Sequence, residues 1–515
     1  MKAQIIFAHI RTMDFRRPTV GAVVHQGGRI LWAGDRDEAL SRYPEGELLD
    51  YGDMTLLPGF LDTHVHAVSA GVLAAGCDLS GAEEMSQVLE KLREADRLIE
   101  AGRWLFAGHF QDKRIREKRM PTRSELDSVS VDRPIFVYHN DCHPYSFNTP
   151  AIQALGLRTE TEGICSDDGV TPNGIVVDPA CADVEKAFFD LLDPGEFAAA
   201  YENTERQAVA HGITTIFAKE YLRTLKALWP CREQFMTTIK PMIRTPGGCA
   251  DTADLERLIG DEELKNETTV CTFLDGAFDG WSAANFEPYE GQPLNYGMLY
   301  NEDDTLYRYF KLAMEHGLQV SAHAIGDRAI EQYLRVMARL QREFPTADAR
   351  PRIEHFEMPT ESQIRRAAEM GIALGMQPLL IEVCEGMDLS GYLPYVGERV
   401  RRCSPYRSVL DAGCLVGGGS DHPVTDMDPL HAIDVAMNNP VEAERIDCEA
   451  GLRMFTCDAA KIGFLENRKG RILEGLDADF VILSGDPVTE GPGNVRVAAV
   501  YSRGRKIYEA EDTAF

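Results

Sequence analysis

The chain has 515 residues, with 82 Asp and Glu against 53 Lys and Arg, a formal net charge of −29. A balance that acidic argues against nucleic acid as a partner, because phosphate binding needs a basic surface, and it gives no support for docking on anionic membranes. At 44% hydrophobic and 26% charged residues the composition is that of a globular protein, and no run approaches the roughly 18 apolar residues of a membrane span.

The first residues, Met1-Lys2-Ala3-Gln4-Ile5-Ile6-Phe7, are followed at once by His9, Arg11 and Asp14, which is no signal peptide. Twelve cysteines are scattered without a CxxC pair. Together these read as reduced thiols in a cytoplasmic protein.

Residues 1–55 read as short strands and turns. Ala22-Val23-Val24-His25 and Arg29-Ile30-Leu31-Trp32-Ala33-Gly34 flank Gln26-Gly27-Gly28, a hairpin whose glycines allow positive φ. The C-terminal stretch 466–515 has the same texture, with strands at Asp477–Leu483 and Val497–Tyr501. Two β-rich ends around a long α/β middle predict one small β-sandwich domain built from both termini.

In Leu57-Pro58-Gly59-Phe60-Leu61-Asp62-Thr63-His64-Val65-His66, an apolar run ends in two histidines one residue apart. Side chains alternate along a strand, so His64 and His66 project from the same face. Two imidazoles aimed at one point suit a Zn-like divalent ion; the competing reading is two ordinary surface histidines.

Seven more apolar strands follow, at 212–218, 239–244, 269–276, 318–323, 351–355, 372–377 and 414–421. Helical patterns such as Asp304–His316 and Asp327–Phe344 lie between them. Eight β-then-α units predict a closed (β/α)8 TIM-type barrel over 56–465. Residues 75–200 are too long for one crossover and read as an insertion after the first strand, with its own strand at Pro134–Tyr138.

Catalytic groups of such barrels sit at the C-terminal ends of strands. His64, His66, His323, His355 and Asp421 fall there, at four different strand ends. Imidazoles and a carboxylate are normal ligands for Zn²⁺ or a similar first-row ion. Such an ion lowers the pKa of a bound water to roughly 7. Asp421, the acidic group at the last strand end, is the candidate to take and pass on that water's proton. The implied reaction is hydrolysis at a polarised C–N bond.

These motifs resemble the amidohydrolase superfamily, and within it amidohydrolase family 3, which includes N-substituted formamide deformylases. The resemblance runs over nearly the whole chain. Leu57 to His66 matches the family opening, and Pro121-Thr122-Arg123, Leu126-Asp127 and Asp132-Arg133-Pro134 resemble the insertion. His323-Ala324-Ile325-Gly326-Asp327, Arg352-Ile353-Glu354-His355 and Gly419-Ser420-Asp421-His422-Pro423-Val424 match the fifth, sixth and eighth barrel strands. Gly475 to Val481 resembles the return into the small β domain. It implies His64, His66, His323 and His355 as metal ligands, Asp421 as ligand and base, one or two ions, a small-molecule substrate and a homodimer.

Two departures stand out. Where the family often has a lysine, carboxylated to bridge two metals, four residues before Asp275-Gly276, this chain has Cys271, read as a thiolate metal ligand in the lysine's place, with a small apolar filler as the competing reading. Where the second strand often carries His-Asp, this chain has Phe217-Ala218, followed by Lys219, read as a substrate or structural charge rather than a replacement carbamate. His143, with Asp141, reads as a substrate contact from the insertion. Trp281 either walls the pocket or packs. His422, His109, His139, His211, His316 and His431 read as structural. Beside an amide hydrolase, a carbamate or ester hydrolase and a non-catalytic barrel with a binding role remain open.

Overall fold

The computed structural model describes residues 2–100, 102–139, 144–245, 249–345 and 348–511. The chain divides into two compact units: Met1–Val65, Glu205–Lys219 and Pro230–Phe515 form one, His66–Thr204 and Glu220–Trp229 the other. Asp141, Cys142 and His143 lie outside the described residues.

In the first unit, β1 (Gln4–Arg11), β2 (Thr19–Gln26), β3 (Arg29–Gly34) and β4 (Glu47–Pro58) open the chain, and β5 (Phe60–Val65) follows. In the second, β6 (Cys77–Asp78), β7 (Leu105–Phe110), β8 (Ile135–His139), β9 (Tyr145–Phe147), β10 (Ile164–Ser166) and β11 (Pro172–Val176) make a six-stranded sheet ordered β10-β11-β9-β8-β7-β6. The helix Met85–Leu98 buries Met85, Val88 and Leu92, a helical spacing, in one cluster with Leu105, Phe110, Ile135 and Val137.

The remaining strands return to the first unit. They are β12 (Ile213–Glu220), β13 (Thr238–Arg244), β14 (Thr269–Phe273), β15 (Gln319–Ala324), β16 (Arg352–His355), β17 (Ala373–Met376) and β18 (Leu415–Gly418), then β19 (Phe480–Leu483), β20 (Val497–Ser502) and β21 (Arg505–Glu509).

β5 and β12 to β18 form one parallel eight-stranded sheet, ordered β18-β17-β16-β15-β14-β13-β12-β5. These are the eight strands that the apolar runs predict. Every residue of β5, β12, β15, β16 and β17 is buried, as expected where both faces of a parallel sheet are covered. The two ends meet through a parallel bridge between Val65 and His422. Thr63 Oγ1 also donates to the Gly418 carbonyl at 3.0 Å, so the sheet is a near-closed barrel. Gly419 makes this seam: a Cβ there would lie 3.0 Å from the His64 backbone N and Cβ.

Strands from both termini make a seven-stranded mixed sheet, ordered β21-β20-β19-β4-β1-β2-β3. β4 is its centre, parallel to β1 and antiparallel to β19. Ile6, Ile10, Val23 and Leu56 share one buried cluster with Phe480, Ile482, Ala499 and Tyr501.

Candidate metal centre

β5 carries His64 toward its C-terminal end, and His66 is the next residue but one. Among the described residues, His64, His66 and Asp421 each offer a ligand atom, all within 4.8 Å of one another. His64 Nε2 and Asp421 Oδ1 are 3.2 Å apart. Two ligands about 2.0–2.1 Å from one tetrahedral ion stand roughly 3.3–3.4 Å apart, so this edge suits a first-row ion. The donor set of two imidazoles and a carboxylate fits the same class of ion. The group constitutes a potential divalent-metal site.

Asp421 sits just past β18, and its amide N donates to the His64 carbonyl at 2.8 Å. Its φ is +57°, and His355 (+71°) and Phe356 (+49°) also occupy the left-handed region. Non-glycine residues pay for that conformation. The cost falls where β16 and β18 end, and it turns these side chains away from the plain alternation of a strand.

The rings of His64 and His355 are 5.1 Å apart and those of His355 and His323 4.5 Å. His355 Nδ1 donates to Gln377 Oε1 at 2.8 Å, and the Gln377 amide is itself fixed by donating to the Gly375 carbonyl at 3.0 Å. That leaves Nε2 of His355 with the lone pair. His323 Nε2 donates to the Gly276 carbonyl at 3.2 Å. Burial pushes His355 down to about 4, with His64 and Lys219 acting in the same direction and Asp421 opposing. Burial, then His355 and Lys219, hold His323 well below the ordinary histidine value. Burial thus favours the neutral imidazole at both, the state a metal ligand requires.

Behind His64 stands a carboxylate that strand-end reasoning did not single out. Glu354 Oε2 accepts from His64 Nδ1 at 2.9 Å and from Arg352 Nη2 at 3.0 Å, and Ser321 Oγ donates to Oε1. All three partners are buried. Burial alone would raise the Glu354 carboxyl, yet Arg352, His64 and Ser321 hold it well below the usual carboxylate range. An ionised Glu354 only accepts, so the His64 proton is on Nδ1 and Nε2 faces Asp421. Gly375 makes room for this pair: a Cβ there would lie 2.3 Å from Glu354 Oε2 and 2.8 Å from Arg352 Nη2. The signal in the sequence was a buried-strand pattern, Arg352-Ile353-Glu354, that puts two opposite charges on one face.

Lys219, near the end of β12, is 1% exposed and places Nζ 3.3 Å from His64 Nε2. Cys271 is fully buried in an apolar cluster with Leu61, Phe217, Met242, Ala459, Ala460 and Leu465. In the sheet register it pairs with Ser321, two residues short of His323, and Phe273 is the residue opposite His323. Burial pushes its thiol up, with Lys219 opposing. Asp275 accepts from the backbone N of Ala284, Ile325 and Gly326 at 2.8–3.0 Å, pinning the loop after β14 to that after β15. Trp281 packs between Tyr289 and Tyr395, with ring centroids 5.3 and 4.7 Å away. His109, His139, His211 and His431 lie against Asp78, Asp112, Asp428 and Glu382.

The amidohydrolase family model matches residues 47–508. The putative amidohydrolase YtcJ of Bacillus subtilis is 26% identical over 543 residues, spanning 99% of this chain and 100% of that protein. The N-substituted formamide deformylase of Arthrobacter pascens is 27% identical over 542 residues, 98% of each chain. An uncharacterized metal-dependent hydrolase from Pyrococcus furiosus shares the fold, with a TM-score of 0.77 at 24% identity, over 94% of this chain and 100% of that one. Among the described residues no helix is long and apolar enough to cross a membrane. A match over nearly the whole barrel, with a metal-type cluster at its strand ends, places the chain in the amidohydrolase family, in its family-3 branch of metal-dependent hydrolases.

Proposed function

We propose that this protein hydrolyses an amide or other C–N bond of a small organic molecule with the help of one divalent ion, Zn²⁺ being the best fit to the donors. The convergence of His64, His66 and Asp421 within 4.8 Å carries this reading. His323 and His355, neutral and ring to ring with each other, complete the histidine set. When bound, the ion would polarise the scissile carbonyl and lower the pKa of a water to roughly 7. The chain's own residues do the rest. Glu354 holds His64 in one tautomer, Gln377 does the same for His355, and Asp421 takes the water's proton and returns it to the leaving amine. Lys219 faces the substrate side, and Trp281 stiffens the loops around it.

Cys271 stays outside the ligand set in this reading, since it packs in an apolar cluster and pairs in the sheet two residues short of His323. Cys271→Ser should keep full metal content and cost about 1–3 kcal/mol of stability, because a buried hydroxyl wants a partner. Elemental analysis beside a thermal melt reads the two effects separately; lost metal in a well-folded variant would return the sulfur to the site.

The 27% identity to a formamide deformylase makes N-substituted formamides the first substrates to assay. The decisive variant is His64→Ala/His66→Ala, which removes neighbouring ligands from one strand end. Its metal content should fall below half that of the wild type, with hydrolysis lost; unchanged metal would end the proposal.

A further inference from the structure

Glu357, two residues past His355, is 2% exposed, and neither of its carboxyl oxygens completes a hydrogen bond. Its backbone is tied on two sides. Met358 N donates to the Ile325 carbonyl at 3.2 Å, and Ser404 N donates to the Glu357 carbonyl at 2.9 Å. A second buried carboxyl shares the Ser404 anchor. Ser404 Oγ donates to Oε1 of Glu385, which ends the helical turn Ile381–Glu385 after β17. Burial first, then the charge of Glu385, push the Glu357 carboxyl well above the ordinary carboxylate value; Asp279 and Asp275 add to this and Tyr392 opposes it.

Neither Glu357 nor Glu385 forms an ion pair with a described residue. The guanidinium groups of this region are engaged elsewhere. Arg402 pairs with Asp327 at 3.0 Å, and Arg399 donates to the carbonyls of Val396, Glu287 and Pro288 at 2.6–3.1 Å. Two acids in a dry site without a counter-charge are costly, and a buried carboxyl with both oxygens unmatched points to a partner that the chain does not supply. The spacing argues for an organic cation. Among the described residues, the side chains that bring three ligand atoms within 4.8 Å of one another are His64, His66 and Asp421, so these acids are not gathered closely enough to cage a metal ion. An ammonium group needs no such cage: it donates in three directions and is also held by aromatic faces. Tyr392 stands beside Glu357, with Phe278 at 5.0 Å from its ring, and Trp281 lies 4.7 Å from Tyr395. Trp281 and Cys384 are half-buried, and Val383 and Met387 on either side of them along the loop are exposed, so the acids lie close beneath the surface.

We infer that Glu357 and Glu385 form the seat of an ammonium group on the substrate, so that the enzyme acts on amides bearing a protonated amine a few bonds from the scissile carbonyl. Two residues of chain span at most ~7 Å, which sets the distance between this seat and His355. The word substrate here rests on the hydrolase reading above; the ammonium seat itself does not.

The test uses the metal-loaded protein and two probes of like shape, benzylamine, which is protonated at neutral pH, and benzyl alcohol, in titration calorimetry. Benzylamine should bind the wild type about tenfold tighter or more, as a charge-assisted hydrogen bond implies. Glu357→Gln should remove most of that preference, and Glu357→Asp, which keeps the charge, should restore part of it. Alongside, N-acetylethylenediamine should be turned over faster than N-propylacetamide. Equal binding of the two probes by the wild type overturns the inference without any variant having to fold. So does a well-folded Glu357→Gln that keeps the full preference, the result expected if the amine binds through the metal. A second equivalent of metal, bound by the wild type and lost in Glu357→Gln, would put an ion in the seat and overturn it as well. Tight, Glu357-dependent benzylamine binding with no amide hydrolysed would instead refute the hydrolase reading and leave the seat standing.

Discussion

Asp421→Asn should lower turnover by roughly 10²-fold or more while the protein stays folded, the loss expected when a general base is removed. The substitution keeps the shape and removes the charge and most of the basicity. It is also the substitution the backbone tolerates best. Asp421 has a φ of +57°, a region that asparagine enters readily and alanine does not. The backbone N–H that donates to the His64 carbonyl is untouched. Lost activity therefore reports on the carboxylate rather than on a broken seam between β5 and β18. Steady-state turnover of an N-substituted formamide, with circular dichroism as the control for folding, measures it. A folded Asp421→Asn enzyme with wild-type turnover would remove the residue from the mechanism.

The second large effect is on stability and metal together. Glu354→Gln leaves the fully buried Arg352 without its counter-charge, and breaking a buried pair from one side costs about 3–5 kcal/mol. It also releases the His64 ring from the carboxylate that fixes its tautomer, and such a loss lowers metal affinity by roughly 10–100-fold. The double substitution Arg352→Met/Glu354→Leu separates the two roles. Replacing both charges with apolar groups of similar size should recover much of the stability, while metal affinity stays low because His64 still lacks its partner. Melting temperature and metal titration check both arms. A Glu354→Gln protein that melts and binds metal like the wild type would show the pair to be idle.

The barrel was legible because its strands are buried on both faces and read as short apolar runs between turns and helices. His64, His66 and Asp421 were legible because each is a metal-type side chain where such a run stops. Glu354 was not assigned, since it stands inside a strand, and only the fold shows that Arg352 and His64 converge on it from two elements. Cys271 illustrates a different gap. Counting back from Asp275 identifies its place along the chain, but the depth of a residue in a barrel depends on pairing with the next strand. That register sets Phe273, not Cys271, opposite His323. The loops after β14 and β17 have no period to read. Phe278, Tyr289, Tyr392 and Tyr395 join them through one shared cluster, and such long-range packing leaves no local trace.

The central position of β4 in the seven-stranded sheet has a consequence for how the chain is made. Its Pro58 pairs with Phe480 and its Leu56 with Ile482. On a ribosome adding about 5–20 residues per second, the partner strand arrives tens of seconds after β4 has emerged. Throughout that interval one edge of β4 is open, with the apolar run Leu56-Leu57-Pro58 on it, a ready template for pairing with another nascent chain. That hydrogen-bonded ladder joins two segments far apart in the chain, β4 and β19, the slowest kind of contact to form. Yield in a cell should therefore depend on how well that waiting edge is shielded, by a trigger-type chaperone or by slower initiation, more than on the stability of the finished barrel.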